Sequence, residues 1–120
     1  MFDHIGFNVD DVAKSRAFYA AALAPLGMKV MREGDGWAVI GGPSGRLWIG
    51  ALGLAASPIH IAFRATDRAA VDAFYAAAIA AGGRDNGAPG LRPNYAPNYY
   101  AAFVYDPDGH NVEAVAYLAE

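Results

Sequence analysis

HIGFNVDDVAKSRAFYAAALAPLG, residues 4–27, recurs as HIAFRATDRAAVDAFYAAAIAAGG, residues 60–83. At a constant offset of 56, 13 of the 24 paired positions are identical. The alanines would match often by composition alone. His4/His60, Ile5/Ile61, Phe7/Phe63, Asp11/Asp67, Phe18/Phe74, Tyr19/Tyr75 and Gly27/Gly83 would not, so one supersecondary unit is written twice. Further on, Ala38/Ala102, Pro43/Pro107 and Gly45/Gly109 align at an offset of 64. The difference, 64 − 56 = 8, gives the second copy eight extra residues. They fall in Arg84 to Asn98, a Pro- and Gly-rich stretch that reads as a long loop, functional or mobile.

Each copy has the same coarse pattern. Phe2 to Val9 and Ile59 to Ala65 alternate β-branched or aromatic residues with small or polar ones, as strands do. Asp11 and Asp67 stand where a helix N-cap belongs, before alanine-rich helices that end near Gly27 and Gly83. Val12, Phe18, Tyr19 and Leu23 form the expected core stripe of the first helix; Val71, Phe74, Tyr75 and Ile79 form that of the second. Strand-forming runs follow at Lys29–Arg32, Trp37–Ile40 and Arg46–Leu52, then at Tyr99–Tyr105 and Asn111–Tyr117. The turns Gly42-Pro43-Ser44-Gly45 and Asp106-Pro107-Asp108-Gly109 separate the last pairs. The chain is therefore expected to be α+β: one domain, residues 1–120, of two βαβββ units (about 1–53 and 58–118) joined around Leu54 to Ser57.

The bulk composition fits a globular domain, with 55% hydrophobic and 18% charged residues among 120. A net charge of −3 without a basic run argues against nucleic acid or an anionic membrane as partner. The absence of cysteine removes thiolate ligands and thiol nucleophiles. No signal-peptide pattern opens the sequence and no apolar run is long enough to span a bilayer, so a cytoplasmic protein is expected.

Alternation puts His4 on one strand face with Gly6 and Asn8, and His60 on one with Ala62 and Arg64; in both strands the apolar residues take the helix-facing side. Glu113 shares its face with Asn111 and Val115. A carboxylate within Asn-Val-Glu-Ala-Val needs a partner if a sheet encloses it. Two histidines and one carboxylate are the donor set of non-haem iron, manganese, nickel or zinc sites with open positions. Glu113 could instead face water or pair with Arg64, and the histidines could be structural residues kept by the repeat.

These motifs resemble the vicinal oxygen chelate superfamily, which includes glyoxalase I, extradiol dioxygenases and bleomycin-resistance proteins. The resemblance rests on His4, the Asn8-Val9-Asp10-Asp11 run, Phe18-Tyr19, the second strand histidine and Asp106-Pro107-Asp108-Gly109-His110-Asn111-Val112-Glu113, and it spans essentially the whole chain. It implies paired βαβββ modules, each an incomplete barrel, around a cleft. It implies one divalent metal ion (Fe, Mn, Ni, Zn or Co) held by His4, His60 and Glu113, with Glu113 also catalytic. The fourth ligand position, read at the offset of 64, falls on Ile49, which cannot ligate. Arg92, Tyr95, Tyr99 and Tyr100, with Asn8 and Arg64, are candidate substrate-binding residues, and His110 is expected to be exposed.

A metal-dependent lyase, isomerase or dioxygenase acting on a small oxygenated molecule is the leading expectation. A metal-free binding protein of the bleomycin-resistance type is the alternative, and a purely structural dimerisation module a third. A homodimer is expected because two modules leave sheet edges to protect.

Overall fold

The computed structural model describes residues 3–43, 45–51 and 58–118. The Leu54–Ser57 linker lies outside these described residues. Each half of the chain builds one four-stranded mixed sheet with one helix across it. The first half holds β1 (His4–Asn8), α1 (Val12–Leu23) continued by a 3-10 turn at Ala24–Leu26, β2 (Lys29–Gly34), β3 (Trp37–Gly42) and β4 (Gly45–Gly50). The second holds β5 (His60–Arg64), α2 (Arg68–Ala80), β6 (Arg84–Leu91), β7 (Tyr100–Tyr105) and β8 (Asn111–Ala116). The strand orders are β1-β4-β3-β2 and β5-β8-β7-β6, the same path twice. In each, the strand before the helix pairs in parallel with the last strand of its module. The two sheets remain separate and no closed barrel forms among the described residues.

The helices start where Asp11 and Asp67 cap them, accepting from the N–H groups of Lys14 and Ala70. Those bonds satisfy donors that the first helical turn leaves free. Phe18, Tyr19 and Leu23 of α1 and Val71, Phe74 and Ala78 of α2 are fully buried, and the two helices pack on each other. One continuous core results, joining Ile40, Leu47 and Ile49 of the first sheet to Val104, Val112 and Ala114 of the second. Each large apolar side chain so enclosed contributes roughly 1.5–3 kcal/mol. Ile79, expected in the α2 stripe, is 37% exposed. The buried spacing runs Val71, Phe74, Ala78, and Ile79 falls one position past it.

The stretch expected as a loop, Arg84 to Asn98, is strand in its first half. β6 pairs antiparallel with β7 through two register irregularities, around Gly87 and before Gly90. Pro89 and the glycines hide the strand from a propensity reading, and an edge position tolerates them because half of its backbone groups need no sheet partner. The second sheet thereby gains its fourth strand.

The candidate metal and substrate site

β8 lies between β5 and β7, and Glu113 sits at its middle, opposite Ala62 on one side and Phe103 on the other. Its carboxylate is only 2% exposed. Oε1 is 3.1 Å from His60 Nε2, and Oε2 accepts a hydrogen bond from the Tyr99 hydroxyl. His60 Nδ1 stands 3.0 Å from the Asn111 carbonyl oxygen. A carbonyl only accepts, so Nδ1 carries the proton, and a neutral ring would turn its lone pair at Nε2 toward Oε1. Two acceptors at that distance repel. The contact needs a proton between Nε2 and Oε1, on either atom, or a cation bound beside both.

Around this pair the outer face of the second sheet is aromatic. Tyr95 packs edge-on against Tyr99, and Tyr99 against Tyr117, each with centroids 5.2 Å apart. Arg64 lies 4.6 Å over the Tyr117 ring. Arg92 lies 5.4 Å from the Phe103 ring and donates to the Ala88 carbonyl at 2.9 Å. Burial, and then the bond to Glu113, hold the Tyr99 hydroxyl above its ordinary pKa of 10.0, so it stays a donor. His60, Glu113, Tyr95, Tyr99, Arg64 and Arg92 thus occupy one face. Tyr117 and Phe103 join them without having been singled out. Alternation from Glu113 through Val115 reaches Tyr117, whereas Phe103 is found only through the β7–β8 register.

Three expectations are corrected. Tyr100 turns to the helix side, where its hydroxyl donates to Asp72 of α2 at 2.6 Å and Arg68 lies 5.1 Å over its ring. His110 is buried, 2% exposed, and accepts from the Ile59 N–H at 2.9 Å. The counterpart of Glu113 is Trp48, not Ile49. Gly6 pairs with Trp48 as its repeat Ala62 pairs with Glu113, and His4 pairs with Arg46 as His60 pairs with Asn111. The offset is 64 between β3 and β7 (Val39, Phe103) but 65 between β4 and β8, because the second turn is one residue longer. Ile49 points into the core, fully buried.

His4 belongs to the first sheet, exposed, with Nδ1 2.8 Å from Asp3 Oδ1. Asn8 flanks a shallow pocket of about 410 Å³ with His4 and Trp48. A larger, mostly apolar cleft of about 550 Å³ separates His4 at the start of β1 from Ile61–Thr66 on and after β5. Within one chain His4 does not join His60 and Glu113 in a ligand cluster among the described residues.

The cluster that does form among them is Asp106, Asp108 and His110, with ligand atoms within 4.8 Å of one another, a spacing that could hold a metal ion. Most of its atoms already have partners, some within the turn and some across the module boundary, while His110 Nε2 is buried without one. Asp106 Oδ1 accepts from the Asp108 and His110 N–H groups, and Oδ2 from the Tyr19 hydroxyl at 2.6 Å. Asp108 accepts from the Asp10 N–H and the Ser15 hydroxyl. The lone pair of His110 Nδ1 is taken by Ile59. The turn of the second module thus clasps the β1–α1 corner of the first. This role was not read from the sequence, although two aspartates beside a turn glycine were visible.

The sequence profile of the Glyoxalase/Bleomycin resistance protein/Dioxygenase superfamily matches residues 1–114. The chain belongs to that superfamily. Among solved structures it resembles a glyoxalase/bleomycin resistance protein from Albidiferax ferrireducens, at 30% identity over 96% of this chain and 97% of that one, with a TM-score of 0.83. A lactoylglutathione lyase from Agrobacterium tumefaciens shares the fold at 20% identity, 97% and 92% coverage and a TM-score of 0.72. A glyoxalase-related enzyme from Fulvimarina pelagi shares it at 18% identity, 97% and 87% coverage and a TM-score of 0.76. No curated protein matches. This superfamily member keeps the paired βαβββ modules, and no helix in its described residues is long and apolar enough to cross a membrane.

Proposed function

We propose that this superfamily member is a divalent-metal-dependent enzyme for a small oxygenated substrate, acting in the cytoplasm as a homodimer. The observation that carries the reading is the His60–Glu113 contact: a lone-pair nitrogen 3.1 Å from a buried carboxylate oxygen is the spacing of two neighbouring ligands of a cation bound beside both. The Asn111 carbonyl fixes the tautomer that leaves Nε2 free to ligate. His4, separated from this pair within one chain, is the third ligand, contributed by a second copy. A bound metal would polarise a substrate oxygen and lower the barrier to forming an enolate beside it. Glu113 then carries the proton, with Tyr99 donating to Oε2 and setting the carboxylate's orientation. Arg64 and Arg92 supply cationic walls at the edges of the aromatic face.

One observation favours a second reading, a metal-free small-molecule binding protein of the bleomycin-resistance type. With His60 doubly protonated, His60 and Tyr99 satisfy Glu113 without any metal, and Trp48 stands where a fourth ligand would be.

Elemental analysis of tag-free protein, loaded in turn with Fe, Mn, Ni, Zn and Co, separates the two. The enzyme reading expects stoichiometric metal that disappears in His60→Ala. Absence of metal under every loading condition would remove it. Mixing His4→Ala and His60→Ala chains tests the shared site: metal content should recover to about a quarter of wild type, since half of the dimers are mixed and each holds one intact site. No recovery after subunit exchange would place all the ligands within one chain.

A further inference from the structure

The outer face of the first sheet is cationic and aromatic like that of the second, but carries no counterpart of the Glu113 carboxylate. Register places Arg46 beside Gly41, Lys29 beside Gly41 and Arg32 beside Val39, all on the side away from the helices. Val30, Ile40 and Ala38 take the helix side. No carboxylate occurs among the strand residues on this outer face, in a chain whose net charge is −3. Asp3, just ahead of β1, makes only a loose 3.9 Å contact with Arg46, whose side chain is half exposed.

On the same face both tryptophans lie over glycines. A Cβ on Gly50 would overlap the six-membered ring of Trp48, and one on Gly6 would stand 3.1 Å from its Cε3. A Cβ on Gly34 would likewise overlap the Trp37 indole. The glycine floor lets the Trp48 ring lie along the sheet instead of standing up from it. The ring lies close over Gly6 and Gly50, and Trp48 lines the pocket of about 410 Å³ with His4 and Asn8. Arg46, two residues before Trp48 on β4, points to the same side. An indole face beside a half-exposed guanidinium whose one carboxylate contact is the 3.9 Å approach of Asp3 is a site for a flat ring bearing an acid group.

We propose that the outer face of the first sheet binds a planar aromatic carboxylate, its ring stacked on Trp48 and its acid group on Arg46. This goes beyond the metal reading and does not need it: every group it uses lies on the first sheet. In the proposed dimer the same face would be one wall of the shared cleft, so the ligand's ring would also define the substrate class.

The test uses the full chain in the presence of a chelator, which separates this site from any metal centre. The protein has two tryptophans and therefore two indole N–H signals in a nitrogen-15 NMR spectrum, assigned with Trp48→Phe. Titration with 2-naphthoate should shift the Trp48 signal and saturate with a Kd below about 1 mM. Binding should weaken about tenfold or more in Arg46→Gln and for the uncharged 2-naphthamide. Arg46 is exposed, so its replacement leaves the fold intact, and the amide arm needs no mutation. Shifts that fail to saturate by about 10 mM, equal affinity for acid and amide, unchanged binding in Arg46→Gln, or shifts confined to Trp37 would each overturn the proposal.

Discussion

Glu113 shows how much one side chain depends on its immediate partners. Its carboxylate is enclosed, and the Tyr99 hydroxyl and the His60 ring are what make the enclosure tolerable. Tyr99→Phe removes the donor to Oε2 and leaves that oxygen without its protein partner. We expect a loss of about 1–3 kcal/mol, read from urea denaturation with unchanged m-value. The Trp48/Ile49 correction is also decided at this scale. Ile49→Glu puts an unpaired carboxylate into the core and should cost more than about 3 kcal/mol or prevent folding. Trp48→Glu places the same group on the half-buried outer face and should fold normally. Comparable losses in the two variants would contradict the register.

Elements were legible where their signals are local. Helix starts follow from Asp11 and Asp67, whose caps depend on backbone only three residues away. Asp67→Ala should lower stability by about 1 kcal/mol, with Asp67→Asn nearly neutral, measured by thermal melting. β6 was not legible, because Gly87, Pro89 and Gly90 give a loop-like composition and the strand exists only through its pairing with β7. The one-residue difference between the two turns was equally hidden. Two proline–glycine turns align well in sequence, yet the Asp106 side chain stabilises a longer turn by accepting from Asp108 and His110. That extra residue turns every later side chain to the other face relative to the first copy, which is why Trp48 rather than Ile49 matches Glu113.

For the whole molecule, the link between modules is both apolar and polar. Helix packing supplies the apolar part, and Tyr19–Asp106 and Asp108–Ser15 supply the polar part. Burial first, then the Asp106 charge, holds the Tyr19 pKa far above its ordinary value of 10.0. A raised folded-state pKa gives stability that is complete below the unfolded value and falls as pH rises beyond it. Above about pH 10 unfolded chains lose this proton while folded ones keep it, so stability should drop by up to about 1.4 kcal/mol per pH unit from this group. Tyr19→Phe should be less stable at neutral pH and show a shallower decline above pH 10. Equal alkaline slopes by chemical denaturation would show that the hydroxyl is not buried against Asp106.

By itself the sequence determined the duplication of one α+β unit, the helix caps and the alternation within β5 and β8 that His60 and Glu113 follow, because repeats, caps and strand alternation are short-range patterns. Tertiary structure alone decided the rest. It drew Tyr99 onto Glu113 and turned Tyr100 away. It buried His110 and used Asp106 and Asp108 as a clasp between modules. It left the matched histidines His4 and His60 on separate sheets. Each of these outcomes depends on register between strands or packing between halves, and those are set by contacts between residues far apart in the chain.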